Sequence, residues 1–150
     1  MRQRVVLAGA LLLAACKPAT PPVASIDVRD AWARETAPGQ SSGAVYLTIV
    51  NSGSNGDKLV SVSTPRARMA MLHGSSNAGG VVAMRMMDDL PIPGTQTVTL
   101  APLGTHIMLT GLAGPLHAGD RIPLTMRFAH AGARQVDAAV LPAGSSGPAR

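Results

Sequence analysis

Histidine and methionine are concentrated in two short stretches of this sequence. The stretch RMAMLHGSSNAGGVVAMRMM at 68–87 holds five of the chain's eight methionines around one histidine, and THIMLT at 105–110 holds a His-x-Met pair. Thioethers select Cu(I) over harder cations and imidazole also suits copper, whereas zinc recruits thiolate, imidazole or carboxylate. The two stretches therefore favour a copper site built from ligands without charge.

Strand geometry would bring these side chains onto common faces. Because residues i and i+2 of a β-strand share a face, three sets are expected. They are Met69, Met71 and His73; Val82, Met84 and Met86; and His106 with Met108. A His-x-Met on a strand aims an imidazole and a thioether the same way, with backbones about 7 Å apart, so both side chains can converge on one ion.

The elements that must position these residues are short β-strands. Runs of β-prone residues are separated by clusters of Gly, Pro, Asn and Asp, such as NSGSNGD, GSSNAGG, PIPG and GLAGPLHAGD. The predicted strands are 26–33, 43–51, 58–64, 68–73, 81–87, 95–100, 105–111, 121–128 and 134–140. Such a series of short strands with frequent turns predicts an all-β fold, an antiparallel sandwich or small barrel, in a single domain over residues 26–142.

The N-terminus resembles a bacterial lipoprotein signal peptide. MRQR is a positive n-region, and VVLAGALLLAA is an apolar run too short to span a bilayer, which takes about 20 residues. Leu13-Ala14-Ala15-Cys16 resembles a lipobox, which makes residues 1–15 the signal peptide and Cys16 the lipidated residue. The alternative is a plain signal peptide with a chance cysteine.

Two low-complexity segments flank the domain. Residues 17–25, KPATPPVAS, are predicted to form a Pro/Ala-rich tether, and residues 143–150 a flexible tail. We expect a periplasmic or otherwise extracytoplasmic protein that a lipid anchor holds to the membrane. Lys17 after Cys16 is compatible with sorting to the outer membrane.

Composition argues against nucleic-acid binding and against catalysis. The net charge of +5 comes from scattered arginines, and loss of Arg2 and Arg4 with the signal peptide leaves eleven basic against eight acidic residues. Nucleic-acid binding calls for a basic patch or stripe, which this sequence lacks. The sequence after residue 16 has no nucleophile elbow, P-loop or catalytic cysteine, so we expect no enzyme.

The spacing of the candidate ligands resembles a known signature. Ten residues separate His73 from Met84, and twenty-one separate Met84 from His106-Ile107-Met108. The pattern H-x10-M-x21-H-x-M resembles that of the periplasmic PCu(A)C copper chaperones. The segments IDVRDAWARETAPG, GAVYLTIVNSGSNGDKLVSVSTP and GTHIMLTGLAGPLHAGDRIPLTMRF also resemble that family, in the same order, so the likeness covers nearly all of residues 26–141.

The resemblance implies a cupredoxin-like β-sandwich that binds one Cu(I) per chain. The implied ligands are His73, Met84, His106 and Met108. It also implies delivery of copper to a membrane oxidase, including the dinuclear copper centre of cytochrome c oxidase. The implied partners are the copper-bearing oxidase subunit and a Sco-type thiol protein.

The sequence departs from the family pattern in its extra methionines and in its tail. Met71 stands where an acidic residue is expected, and Met71 and Met86 are candidate auxiliary ligands. Core filling or a loose rim around the site is the favoured interpretation of Met69, Met86 and Met87. The tail LPAGSSGPAR has neither histidine nor methionine, so we expect one copper site and no second one.

The other histidines and the aromatic residues are expected to be structural. His117 and His130 are predicted at the surface. Core positions are predicted for Trp32, Tyr46, Met126 and Phe128.

Two other functions fit the same residues. One is an envelope copper buffer without a dedicated acceptor. The other is a structural β-sandwich lipoprotein that binds another protein and uses its methionines as core. Only the copper-binding functions predict an affinity that falls as pH drops through about 6, because ligating imidazoles must be neutral.

Overall fold

The computed structural model describes residues 25–78 and 81–148, which form ten β-strands. The strands are β1 (Ile26–Arg34), β2 (Ser42–Asn51), β3 (Asp57–Ser63), β4 (Ala67–Ala78), β5 (Val81–Met87), β6 (Leu90–Ile92), β7 (Thr97–Leu100), β8 (His106–Leu112), β9 (Arg121–Phe128) and β10 (Gly132–Leu141). These two ranges contain no helix, and thus none long and apolar enough to cross a membrane. All nine predicted strands are found, and β6 is an addition to them.

Seven of the strands close into a barrel. Neighbours pair in the order β4-β8-β2-β1-β10-β9-β3, and β3 pairs back with β4 through Val62 and Ala70. The all-β prediction is confirmed, but the barrel is mixed rather than antiparallel, because β1 and β10 run parallel. These two strands are the first and last of the domain, so no hairpin between them imposes an antiparallel pair.

The hairpin of β4 and β5 extends beyond the barrel wall. The prediction of a break over residues 74–80 is wrong in its first part, because β4 continues to Ala78 and pairs with β5 as far as Val81. Cross-strand pairing outweighs the turn preference of Ser and Asn here. β8 pairs with β4 only as far as His73, so the end of the hairpin projects past its neighbour.

Alternation along the strands decides which side chains face the core. The buried cluster that fills the barrel includes Val45, Leu47, Ile107, Leu109, Met126 and Phe128. Because Ile107 and Leu109 face inward, His106 and Met108 face the outside of the barrel. The predicted core positions of Met126 and Phe128 are confirmed.

Trp32 and Tyr46 are buried on the outer side of the barrel wall instead. Their strand neighbours Ala33, Val45 and Leu47 belong to the inner cluster, so the two rings point the other way. The rings contact each other, with centroids 4.7 Å apart. The sequence correctly predicts their burial but not the face on which they lie.

The residues after β10 lie against β1. The backbone N–H of Ala143 donates to the Glu35 carboxylate at 3.0 Å, and Arg34 Nε donates to the Ser145 carbonyl at 2.9 Å. Flexibility of the whole 143–150 segment stays a prediction. The predicted signal peptide at 1–15, the lipidated Cys16 and most of the 17–25 tether lie outside the described residues.

Candidate metal centre

The candidate ligands lie on the outer face of the barrel, on the adjacent strands β8, β4 and β5. Two directly opposed pairs join β4 to β8, namely His73 with His106 and Met71 with Met108. On the other side of β4, Met86 of β5 lies opposite His73. Opposed residues have Cβ atoms about 5 Å apart. The register therefore gathers two imidazoles and three thioethers around His73.

The structure brings three of the four predicted ligands together and places the fourth to one side. Met108 lies diagonally from His73 on β8, and Met84 lies on the opposite diagonal, facing Ser75. Two strand spacings and four residues of rise separate Met84 from Met108, which is roughly 16 Å along a flat sheet. Ligation by His73, Met84, His106 and Met108 stays a prediction.

His106 is held in one orientation. Only 5% of its surface is exposed, and its Nδ1 lies 2.9 Å from the Gly104 carbonyl oxygen. Since a carbonyl can only accept, Nδ1 carries the hydrogen and donates it. This bond leaves the Nε2 lone pair of a neutral ring available to a metal.

The turn that supplies the Gly104 carbonyl is itself fixed. The Gly104 N–H donates to the Ala101 carbonyl at 3.0 Å, and the Ala101 N–H donates to the Thr105 carbonyl at 2.9 Å. The Ser75 hydroxyl of β4 donates to the Leu103 carbonyl at 2.6 Å. The turn is thus tied to β4 as well as to β8, and it cannot move without disturbing both strands.

A row of rings runs across the barrel wall into the site. Behind the Trp32–Tyr46 contact, the Tyr46 and His106 ring centroids are 6.3 Å apart. The His106 and His73 centroids are 5.8 Å apart, edge to face. The aromatic rings therefore back His106 on the side away from β4.

Exposure rises from β8 towards β5. His106 is buried, whereas His73, Met71 and Met108 are half-buried. The exposed fractions of Met84 and Met86 are 65% and 62%, and that of Met69 on the same face is 56%. For Met69 and Met86 the core interpretation is therefore wrong, whereas a methionine rim and direct ligation both stay predictions.

Met87 packs inward, and Gly74 makes room for it. Met87 is partly buried against the core, as the filler interpretation predicts. A Cβ on Gly74 would lie 2.8 Å from the Met87 sulfur, closer than real Cβ atoms approach. Glycine beside His73 therefore leaves room for the Met87 side chain to pack against β4.

A groove runs along the site where β3 and β5 diverge from β4. Its volume is about 230 Å³. Met71 and Met86 line it together with Met87 and Val62. Thioethers from β4 and β5 therefore face one shared space.

The donor set suits a soft cation. Within residues 25–78 and 81–148, no group of three His, Cys, Asp or Glu side chains could hold a metal ion. The donors that the outer face of β4, β5 and β8 does offer are two imidazoles and several thioethers, and thioethers select Cu(I). The sequence points to these residues through their i, i+2 spacing, but it does not reveal that Met71 opposes Met108 or that Gly104 orients His106.

The remaining histidines lie away from the site. His117 is exposed, as predicted. His130 is exposed too, and its Nδ1 lies 3.3 Å from the buried Asp57 carboxylate. Burial alone would raise the pKa of Asp57, but backbone donors at Lys58, His130 and Ala131 and the His130 side chain hold it below its usual value.

Comparison with known proteins finds a family match over most of the chain. The family model described as "Putative lipoprotein LpqE-like" matches residues 26–140. "Putative lipoprotein Lxx21020" of Leifsonia xyli subsp. xyli (strain CTCB07) is 34% identical over 104 residues, which cover 69% of this chain and 61% of that protein. The chain thus spans about three fifths of this relative's length.

Solved structures share the fold. "Copper-bound PCuAC domain from PmoF2" matches with a TM-score of 0.69 and 27% identity, over 80% of this chain and 95% of that one. "Solution structure of CuI-DR1885 from Deinococcus Radiodurans" matches with a TM-score of 0.62 and 31% identity, over 83% and 81%. The barrel is therefore the cupredoxin-like fold of PCuAC domains.

Proposed function

We propose, from the premise that this chain belongs to the LpqE-like lipoprotein family and is of PCuAC type, that it is an extracytoplasmic Cu(I) chaperone. The observation that carries the proposal is the opposed His73–His106 pair flanked by methionines, with His106 Nε2 left free by the Gly104 hydrogen bond. The related domains named as copper-bound support it. One Cu(I) per chain is cargo to be delivered.

Capture uses the four motif residues. The two imidazoles and two thioethers of His73, Met84, His106 and Met108 are neutral, so bound Cu(I) keeps its full charge. Such a set is soft enough to select Cu(I), yet a thiolate-rich acceptor can take the ion by ligand exchange. Each tenfold difference in affinity between donor and acceptor supplies about 1.4 kcal/mol of driving force.

The proposed place of action is the outer side of a membrane. Lipid on Cys16 would anchor the chain, and the tether at 17–25 would hold the barrel above the surface. The LpqE-like family description supports a lipoprotein. The outer membrane is the proposed location in a host with two membranes.

The proposed acceptor is the copper-bearing subunit of a membrane oxidase. Assembly of the dinuclear copper centre of cytochrome c oxidase is the delivery we infer, with a Sco-type thiol protein as an intermediate partner. Thiolates bind Cu(I) more strongly than thioethers, which gives this transfer its direction. The protein acts as a carrier and not as an enzyme.

The first test is an anaerobic Cu(I) titration of the full-length chain in detergent against a competing chelator. We expect one tight copper per chain, lost in His106→Ala and Met108→Ala and retained in the control His117→Ala. Loss of a direct ligand should weaken binding by more than about 100-fold, since second-shell changes alone cost about 10–100-fold. Absence of tight copper in the wild-type chain would refute the proposal.

A copper buffer without a dedicated acceptor is the second candidate. The exposed thioethers of Met69, Met84 and Met86 favour it, because they could take up copper beyond the motif residues. A deletion strain separates the two functions. An oxidase defect at low copper supports delivery, whereas sensitivity at high copper with normal oxidase supports buffering.

A further inference from the structure

We infer that the free edge of β5 is a docking surface for an extended segment of another protein, which adds a strand to the sheet. The segment that fits has an acidic residue between two apolar residues. The surface consists of the backbone of Val81–Met87 and the side chains of Met84, Arg85 and Met86. This inference does not depend on copper binding, so the two proposals can fail separately.

Three strands of the described chain have an edge without a neighbouring strand. β5 and β6 are the two ends of the pairing order, and β7 pairs with β2 alone. β6 is three residues long, with Pro91 at its centre and Pro93 directly after it. β7 is four residues long. Short strands and prolines, which have no N–H to donate, are features that prevent pairing at an edge.

β5 has neither of these protective features. It is seven residues long and contains no proline. Its whole length pairs with β4, and alternate residues direct their N–H and C=O groups to the other side, where no strand of the described chain lies. Because β8 pairs with β4 only as far as His73, the hairpin projects past the barrel wall. An extended segment can therefore approach this edge and continue the ladder.

The side chains on β5 determine what the segment must present. Met84 and Met86 share one face of the strand and are mostly exposed, which calls for apolar residues opposite them. Arg85 lies on the other face, is exposed, and is opposed on β4 by Gly74, which has no side chain to cover it. Within the described residues the Arg85 side chain has no ion pair or hydrogen bond. An acidic residue opposite it would form an opposite-charge cross-strand pair.

A second copy of this chain fits the edge less well than such a segment. Val81–Met87 contains no acidic residue, so in any pairing of two β5 strands Arg85 meets another arginine or an uncharged side chain. Directly opposed like charges destabilise a strand pair, and an uncharged neighbour leaves the guanidinium without a partner. The charge on the edge therefore favours a different protein.

The groove of about 230 Å³ at the base of β5 extends the docking surface. Met86, Met87 and Val60 line it, and Val60 is 39% exposed. A segment paired along β5 thus has an apolar space beside Met86 for a side chain at its end. Met84, one of the four motif residues, lies on the same strand, so the bound segment would lie next to the proposed copper site.

An NMR titration of the full-length, copper-free chain in detergent tests the inference. The probe is the peptide acetyl-TTLELTT-amide, whose leucines face Met84 and Met86 when its glutamate faces Arg85. We expect saturable shifts of the Val81–Met87 amide signals below about 1 mM peptide, and unchanged signals in β9. Absence of saturable shifts, or shifts confined to residues outside β5 and the groove, would overturn the inference.

Two control peptides separate strand pairing from nonspecific binding. In acetyl-TTLKLTT-amide a lysine faces Arg85, and in the second control the central Leu-Glu-Leu of TTLELTT is N-methylated and cannot donate to a ladder. Both should bind at least about threefold more weakly than the probe. Equal binding of the N-methylated peptide would exclude strand addition.

A charge reversal on the protein gives the matching test. Arg85→Glu should weaken binding of the glutamate peptide and strengthen that of the lysine peptide, each by at least about threefold. Arg121→Glu changes an exposed arginine on β9 and should alter neither by more than about twofold. Unchanged preference in Arg85→Glu would overturn the inference. So would a dimer of the wild-type chain, found by sedimentation without peptide, whose β5 amides are protected from hydrogen exchange.

Discussion

Two histidines at different places on the barrel have opposite surroundings. His106 is buried, and the hydrogen bond of its Nδ1 to the Gly104 carbonyl leaves its Nε2 available among thioethers. His130 is exposed and lies beside the buried carboxylate of Asp57, which also accepts from three backbone N–H groups. The His106 region has a ring nitrogen available to bind an ion, whereas the Asp57 carboxylate accepts hydrogen bonds that stabilise the fold.

The two regions differ in whether their polar atoms are already satisfied by hydrogen bonds within the protein. At Asp57 the carboxylate ties the start of β3 to the turn between β9 and β10, and its charge is satisfied within the protein. On the outer face of β4, β5 and β8 the donors are imidazoles and thioethers, and Met69, Met84 and Met86 are mostly exposed. Substitutions near His106 are therefore expected to change copper binding and substitutions at Asp57 to change stability. Each should have little effect on the other property.

The largest stability effect is expected from Asp57→Asn. The amide NH2 would face backbone donors that the carboxylate now satisfies, so unfolding free energy should fall by about 2–3 kcal/mol. Copper affinity should change by less than about twofold, since the sites share no partner. Urea unfolding followed by Trp32 fluorescence measures stability, and Asp137→Asn, which changes an exposed carboxylate on β10, is the control. A weaker copper affinity in Asp57→Asn would show that the two regions are not independent.

The next largest effect is expected in pH dependence, because stability and copper binding should be lost over different pH ranges. The pKa of Asp57 is lowered in the fold, so its contribution is present above the unfolded value of 3.8 and is lost as pH falls through the lower folded pKa. Copper binding needs neutral imidazoles, and free histidine titrates near pH 6.5, so affinity should fall about tenfold per pH unit for each ligating histidine below that point.

Between about pH 5 and 4 the chain should therefore remain folded while it releases copper. Circular dichroism and Cu(I) competition on the same samples would check both statements. Copper affinity that is flat from pH 7.5 to 5 would argue against two histidine ligands. Coincident loss of fold and copper would show that the two regions are coupled.

The smallest effect is expected from Gly74→Ala. Its Cβ would press on the Met87 sulfur at 2.8 Å, and displacement of that flexible side chain should cost about 1 kcal/mol. Because Met87 is next to Met86 on β5, its displacement should also change the rate of copper removal, within about threefold. Gly114→Ala is the matched control, since a Cβ there meets nothing within 4 Å. A thermal melt and the chelator assay measure the two effects.

The sequence alone determined most of the strands and which soft donor residues they carry. Alternating apolar residues between Gly, Pro and Asn clusters located nine of the ten strands, because the period of two is a local property of the chain. The i, i+2 spacing placed His106 with Met108, and Met71 with His73, on common faces for the same reason. The resemblance of the four-residue spacing to copper chaperones agrees with the family match over residues 26–140.

Only the tertiary structure decided which of these side chains meet. The opposition of Met71 and Met108 depends on the register between strands more than thirty residues apart, and one residue of slip would turn a whole strand face inward. The same holds for the parallel β1–β10 pair, for the outward Trp32 and Tyr46, and for Asp57 beneath His130. Local sequence patterns determine which side chains a strand places on each of its faces. Long-range strand pairing, which no local pattern encodes, determines which residues of other strands those side chains meet.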